Sequence, residues 1–140
     1  MTSEHKQLVR ESWAQVASNA DAAATLFYNR LFELDPELQQ LLVKTDQNNL
    51  FVQTLSFAVN GLSTPQQLLP AVEQLGKRSL RYGLKESHYK TVGVALLWTL
   101  EKTLCKAFTT EVLEAWTETY SLLSTVMRIG ARGRYEPLLR

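Results

Sequence analysis

The stretch that decides the fold is 75-LGKRSLRYGLKESHYKTVGVALLWTLEKTL-104. Apolar residues recur in it at spacings of three and four, which is the period of an α-helix with one buried face. Gly83 interrupts the pattern, so two helices are expected here. The first carries Leu68, Val72, Leu75, Ser79 and Tyr82 on one face. The second opens at Ser87 and turns Tyr89, Val92, Leu96, Leu100 and Leu104 inward. A small hydroxyl, Ser79, thus occupies an inner position where a bulky side chain is the usual choice.

The same period extends outward in both directions. Upstream, a helix from Ser3 to Ala17 has Leu8, Val9, Ser12, Trp13 and Val16 as its stripe. A second begins near Asp21, a suitable N-cap, with Ala24, Phe27, Tyr28, Leu31 and Phe32 inward. Asp35-Pro36 restarts a short helix, because proline at the first helical position loses no intrahelical bond. After the polar corner KTDQNN comes a helix from about Asp46 to Leu62, with Gln47, Phe51, Leu55, Ala58 and Leu62 as its stripe. Thr64 caps the next helix, and Pro65 stands in its first turn. Downstream, Thr109 or Thr110 opens the last helix, with Val112, Trp116, Tyr120, Leu123 and Met127 inward. The expected architecture is all-α, with six long helices and one short one crossing around a pocket.

Bulk composition bounds the function. The 140 residues make a single domain with 45% hydrophobic and 21% charged residues. A net charge of +1 provides no field for nucleic acid or an anionic membrane surface. The single cysteine excludes an intramolecular disulfide and fits a reducing compartment. The charged N-terminus lacks a signal-peptide apolar segment, and no apolar run approaches the ~20 residues of a membrane span. A cytoplasmic location is therefore expected. Residues 132–140 form a basic tail beyond a domain of residues 1–131.

Gln47, Ser79 and Tyr28 are polar residues on apolar stripes. Each has an ordinary structural reading. Gln47 stands in a first helical turn, where it can be solvated or cap. A buried serine commonly bonds a carbonyl one turn back. An inward tyrosine is usually core, with its hydroxyl reaching a partner. No Gly-rich phosphate loop, metal-ligand spacing or nucleophile–base pair is present, so hydrolytic and transferase chemistry is not expected, and the protein is not read as an enzyme.

The chain resembles the bacterial single-domain globins, the globin domain of flavohaemoglobins, and neuroglobin. The resemblance covers nearly the whole chain and is carried by LFYNRLF followed by DPEL, by residues 75–104, and by FTTEVLEAWTETYSLLSTVM. It implies the three-on-three globin fold. Tyr28, Gln47 and Phe51 would lie on the distal side of a tetrapyrrole pocket, Gln47 at the ligand-gating position if the preceding corner is two residues shorter. Leu75, Leu84 and Val92 would line the proximal side.

Three departures from the family follow from the same alignment. The proximal histidine that holds iron aligns with Ser79, while Gly76, Tyr82, Gly83 and Tyr89 stay in register. The phenylalanine that lies on the haem face aligns with Leu42. The proximal tyrosine is matched by Tyr89, but its carboxylate partner falls near Gly133.

Haem iron in globins is held by a neutral imidazole, whereas a serine hydroxyl is short, weakly basic and costly to ionise in a dry site. His5, His88, Tyr82 and Cys105 are poor substitutes by position. The resemblance therefore implies a globin that binds or hands over a bilin, an iron-free linear tetrapyrrole needing no axial ligand, or that binds haem weakly. Certain bacterial globins associated with bilin synthesis, related to the phycobiliproteins, fit this description. A haem globin binding oxygen or nitric oxide with unusual coordination is a second reading, and a haem-free signalling or interaction module a third. The loss of histidine can be natural or engineered; the concurrent change at Leu42 fits natural drift. Expected partners are the tetrapyrrole and either a second copy or a tetrapyrrole-metabolism enzyme.

Overall fold

A computed structural model of the chain describes residues 2–41, 47–81 and 85–132, with side chains for all of these but 47–50, 78–81 and 131–132. The order of elements is α1 (Ser3–Ala17), α2 (Ala20–Leu34), α3 (Pro36–Leu41), α4 (Gln47–Gly61), α5 (Pro65–Arg81), α6 (Glu86–Leu104), a 3-10 turn (Cys105–Ala107) and α7 (Thr110–Arg132). Six helices are long and one is short, with no strand among the described residues.

The expected inner stripes are the buried ones. Val9, Ser12, Trp13 and Val16 are buried on α1, and Ala24, Phe27, Tyr28 and Leu31 on α2. Leu96, Leu100 and Leu104 on α6 meet Val112, Trp116 and Leu123 of α7 in the same core. The helices form two crossed layers. α1, α4 and α5 adjoin in one, α2, α6 and α7 in the other, and α1–α7, α5–α7 and α2–α4 contacts join them.

Helix ends depart from the sequence reading in two places. α2 is preceded by Asn19, not Asp21, and no side chain caps it; Asp21 sits in the first turn, where its charge still complements the helix dipole. α6 starts at Glu86, one residue before Ser87. Its start is fixed instead by His88, whose Nδ1 accepts the Lys85 amide at 2.8 Å. Thr109 does cap α7, its Oγ1 accepting the Val112 amide. α5 runs on through the exposed Pro70. Its extensive packing on α7 outweighs the lost hydrogen bond.

That packing depends on two glycines. A Cβ at Gly76 of α5 would collide with the Met127 carbonyl oxygen, and one at Gly130 of α7 with the Glu73 carbonyl oxygen. The two backbones therefore cross in direct contact, which only residues without a side chain permit. Ser79 lies within one turn of this crossing.

Candidate functional site

The residues expected on the distal side begin on α2. Tyr28 is 6% exposed. Its ring stands edge-on to Phe27 at 5.0 Å and to Phe51 of α4 at 6.4 Å, and lies 5.8 Å from Phe32. Phe27 and Phe51 approach at 4.9 Å, and Trp13 of α1 closes the cluster 5.9 Å from Phe51. The expected pair Tyr28 and Phe51 thus meets, because α2 and α4 cross at these residues. Aromatic rings in such offset arrangements contribute beyond their buried area.

Of the residues expected on the proximal side, Leu75 is half-buried on α5 and Val92 half-buried on α6, while Tyr89 is buried one turn before Val92. Gly93 leaves room for the ring of Tyr120 from α7, which a Cβ there would strike. Tyr120 then donates its hydroxyl proton to the Tyr89 carbonyl. Burial pushes the Tyr120 phenol well above the ordinary tyrosine range, so it remains a neutral donor. The Arg128 guanidinium lies over the Tyr89 ring at 5.7 Å. This cation was not evident from sequence, because Tyr89 and Arg128 lie far apart in the chain on different helices.

The structure accounts for both histidines. His5 Nδ1 lies 2.8 Å from Glu118 Oε2, tying α1 to α7. His88 is 2% exposed. With Nδ1 accepting the Lys85 amide, the proton of the neutral ring belongs to Nε2. That nitrogen faces Glu37 Oε1 at 3.2 Å and Asp35 Oδ2 at 3.4 Å. His88 therefore clasps the start of α6 to the α2–α3 corner. Cys105 is exposed and follows α6 with a φ of 51°. Among the described residues no group of three His, Cys, Asp or Glu side chains could hold a metal.

Leu42, Tyr82 and Leu84 lie outside the described residues. Gln47 opens α4 and Ser79 belongs to α5, as the sequence pattern requires, but their side chains are likewise outside the description.

Of the residues expected to line a tetrapyrrole, Tyr28 and Phe51 on α2 and α4 are packed in the core, and Leu75 and Val92 on α5 and α6 are half-buried. Nδ1 of His5 and both ring nitrogens of His88 have protein partners.

Two crossed layers of three helices define the class as an all-α sandwich of the three-on-three type. The globin family model matches residues 25–127, and the chain belongs to that family. It is similar to a flavohemoprotein of Rhodopirellula baltica, 32% identical over 132 residues, which covers 91% of this chain and 32% of that protein. It thus spans about a third of the length of such relatives. A neuroglobin of Tetraodon nigroviridis is 29% identical over 146 residues, covering 93% of this chain and 92% of that one. Among solved structures, a hexacoordinated heme protein from an anhydrobiotic tardigrade superposes with a TM-score of 0.81 at 22% identity, covering 94% of this chain and 96% of that one. This last likeness concerns the fold. No described helix is long and apolar enough to cross a membrane.

Proposed function

We propose that this globin holds a tetrapyrrole between its helical layers without a protein–iron bond from α5, and that its ligand is a bilin in preference to haem. The supporting observation is the engagement of both histidines elsewhere, His5 by Glu118 and His88 by the Lys85 amide and the Asp35 and Glu37 carboxylates. The remaining candidate at the iron position is Ser79. A shift of α5 toward the pocket would bring its hydroxyl closer, but the Gly76–Gly130 crossing opposes that shift. Backbone-to-backbone contact there would open into a void, and voids are costly.

Haem, when bound, supplies an iron that can carry oxygen or nitric oxide. Here the chain's own residues would bury its faces, with Tyr28, Phe51, Leu75 and Val92 as walls and Tyr28 and Gln47 as distal hydrogen-bonding groups. The same groups serve a bilin, whose pyrrole N–H groups require acceptors and whose binding needs no axial donor. The distal Tyr28 within its aromatic cluster favours the second reading, a haem globin of unusual coordination. Activity in bilin handover, a cytoplasmic location and a partner from tetrapyrrole metabolism belong to the same proposal.

Parallel incubation with biliverdin and haemin followed by desalting separates the readings. Biliverdin should co-elute with an altered absorption spectrum, and haemin should be retained weakly. Ser79→His should raise haemin retention at least about tenfold, since it restores the axial donor. Failure of the protein to retain biliverdin, together with a stoichiometric haem spectrum unaffected by that substitution, would overturn the proposal.

A further inference from the structure

The outward face of α6 carries a seam that the tetrapyrrole reading does not use. Lys90, Val94 and Glu101 are exposed there, and Leu97 is half-buried. Val94 remains 46% exposed. The spacings are four, three and four residues. At 3.6 residues per turn such a stripe does not wind away: the four side chains stay within about 60° of one another over about 16 Å of helix. This is the spacing by which two helices pack as a coiled coil. Beside the seam stands Trp98, half-buried. The Arg30 guanidinium of α2 lies over its ring at 5.2 Å and the Lys102 ammonium at 5.8 Å. The indole is thus held in place in the single chain and loses little freedom on contact.

The two ends of the seam are opposite in charge. Neither Lys90 nor Glu101 has an oppositely charged partner among the described residues. Glu101 also stands in the last turn of α6, where the helix dipole disfavours an anion. Helix formation therefore does not account for it.

We infer that α6 pairs with α6 of a second copy of this chain, antiparallel, about a two-fold axis at the level of Ala95 and Leu96. Lys90 then meets Glu101 of the second copy and Val94 meets its Leu97, because both pairs have that same midpoint. Each Val94 enters between Leu97 and Trp98 of the other copy. A parallel pair would instead set Lys90 on Lys90 and Glu101 on Glu101, which is unfavourable. The neighbouring charges do not oppose the antiparallel pair. Arg30 and Lys102 are turned onto Trp98, and Lys85 is engaged by Glu37. On α7, Tyr120 adjoins Gly93 and Arg128 adjoins Tyr89, so α7 runs antiparallel to α6. Its Glu114 falls toward the Glu101 end, where Lys90 of the second copy arrives, while Glu118 is held by His5 of α1. An isologous contact of this kind closes on itself. A seam of three turns is at the low end of specific interfaces, so the dimer is weak, with a Kd on the order of 100 µM.

Charge exchange in the full chain tests the pairing, read by sedimentation with helicity followed by circular dichroism. The parent chain should be mostly dimeric at about 1 mM. Lys90→Glu alone and Glu101→Lys alone should each weaken the dimer at least about tenfold, since each sets like charges together twice. Both reversals suit the helix dipole, so helicity should be retained. The chain carrying both should regain the dimer. An equimolar mixture of the two single variants should also dimerise, because both contacts in the mixed pair again join opposite charges. Val94→Asp should break the dimer without any exchange, and it serves as the reading if a reversal disturbs the fold. A chain monomeric at about 1 mM overturns the inference. So does a dimer that the single reversals or Val94→Asp leave intact, or one that neither the double variant nor the mixture restores.

Discussion

Gly76 and Tyr120 are the residues on which the packing of α5 and α6 against α7 depends. Gly76→Ala would place a methyl group against the Met127 carbonyl. Because backbone and not a flexible side chain must give way, a loss of about 1–3 kcal/mol is expected, readable as a lower urea midpoint. Tyr120→Phe removes the donor to the Tyr89 carbonyl and should cost about 1–2 kcal/mol. Its pH dependence separates the hydroxyl from the ring. The folded-state pKa of Tyr120 lies above its unfolded value near 10. Above that pH the unfolded chain releases a proton that the folded chain retains, so stability falls as pH rises past about 10. The fall should be shallower in Tyr120→Phe, and equal slopes for both proteins would show that Tyr120 does not carry it. Ser12 illustrates how a polar inner residue can be structural. Its Oγ donates to the Leu8 carbonyl at 2.6 Å and accepts the Trp116 indole N–H at 2.7 Å.

At the scale of elements, the helices were legible because their apolar stripes were long and regular. α1, α5 and α7 kept the expected inward residues throughout their described lengths. Caps were less legible, since they depend on partners brought from elsewhere. Ser87 has the right chemistry for a cap, yet the ring of His88 holds the Lys85 amide instead. That ring is buried only because Asp35 and Glu37 come to face it from the α2–α3 corner, and nothing in the local sequence announces this. His88→Ala should therefore disturb more than one helix end. It removes the Lys85 acceptor and leaves two carboxylates without their buried partner. A destabilisation of about 1–3 kcal/mol is expected, with hydrogen exchange faster at the starts of both α3 and α6. Faster exchange confined to α6 would show that the ring does not join the two corners.

For the whole molecule, the family and the two-layer fold were readable from sequence because composition, period and motif all agreed. The site was readable only in part. Tyr28 and Phe51 were expected together and do meet. The tightness of the α5–α7 crossing was not visible, because glycines inside helices look like weak points until their neighbours are known. Nor was the stack of Arg128 on Tyr89, which joins residues far apart in the chain. α5 is held by backbone contact with α7, and the ring of Tyr89 carries a cation.

The central claim is that α5 offers no imidazole to iron and neither histidine takes its place. Resonance Raman spectroscopy of the ferrous, haemin-reconstituted protein tests it directly through the iron–imidazole stretching band. The account predicts no such band in the parent chain, its appearance in Ser79→His, and its appearance in the parent when free imidazole is added. A band already present in the parent chain without added imidazole, and lost in His88→Ala or His5→Ala, would contradict it.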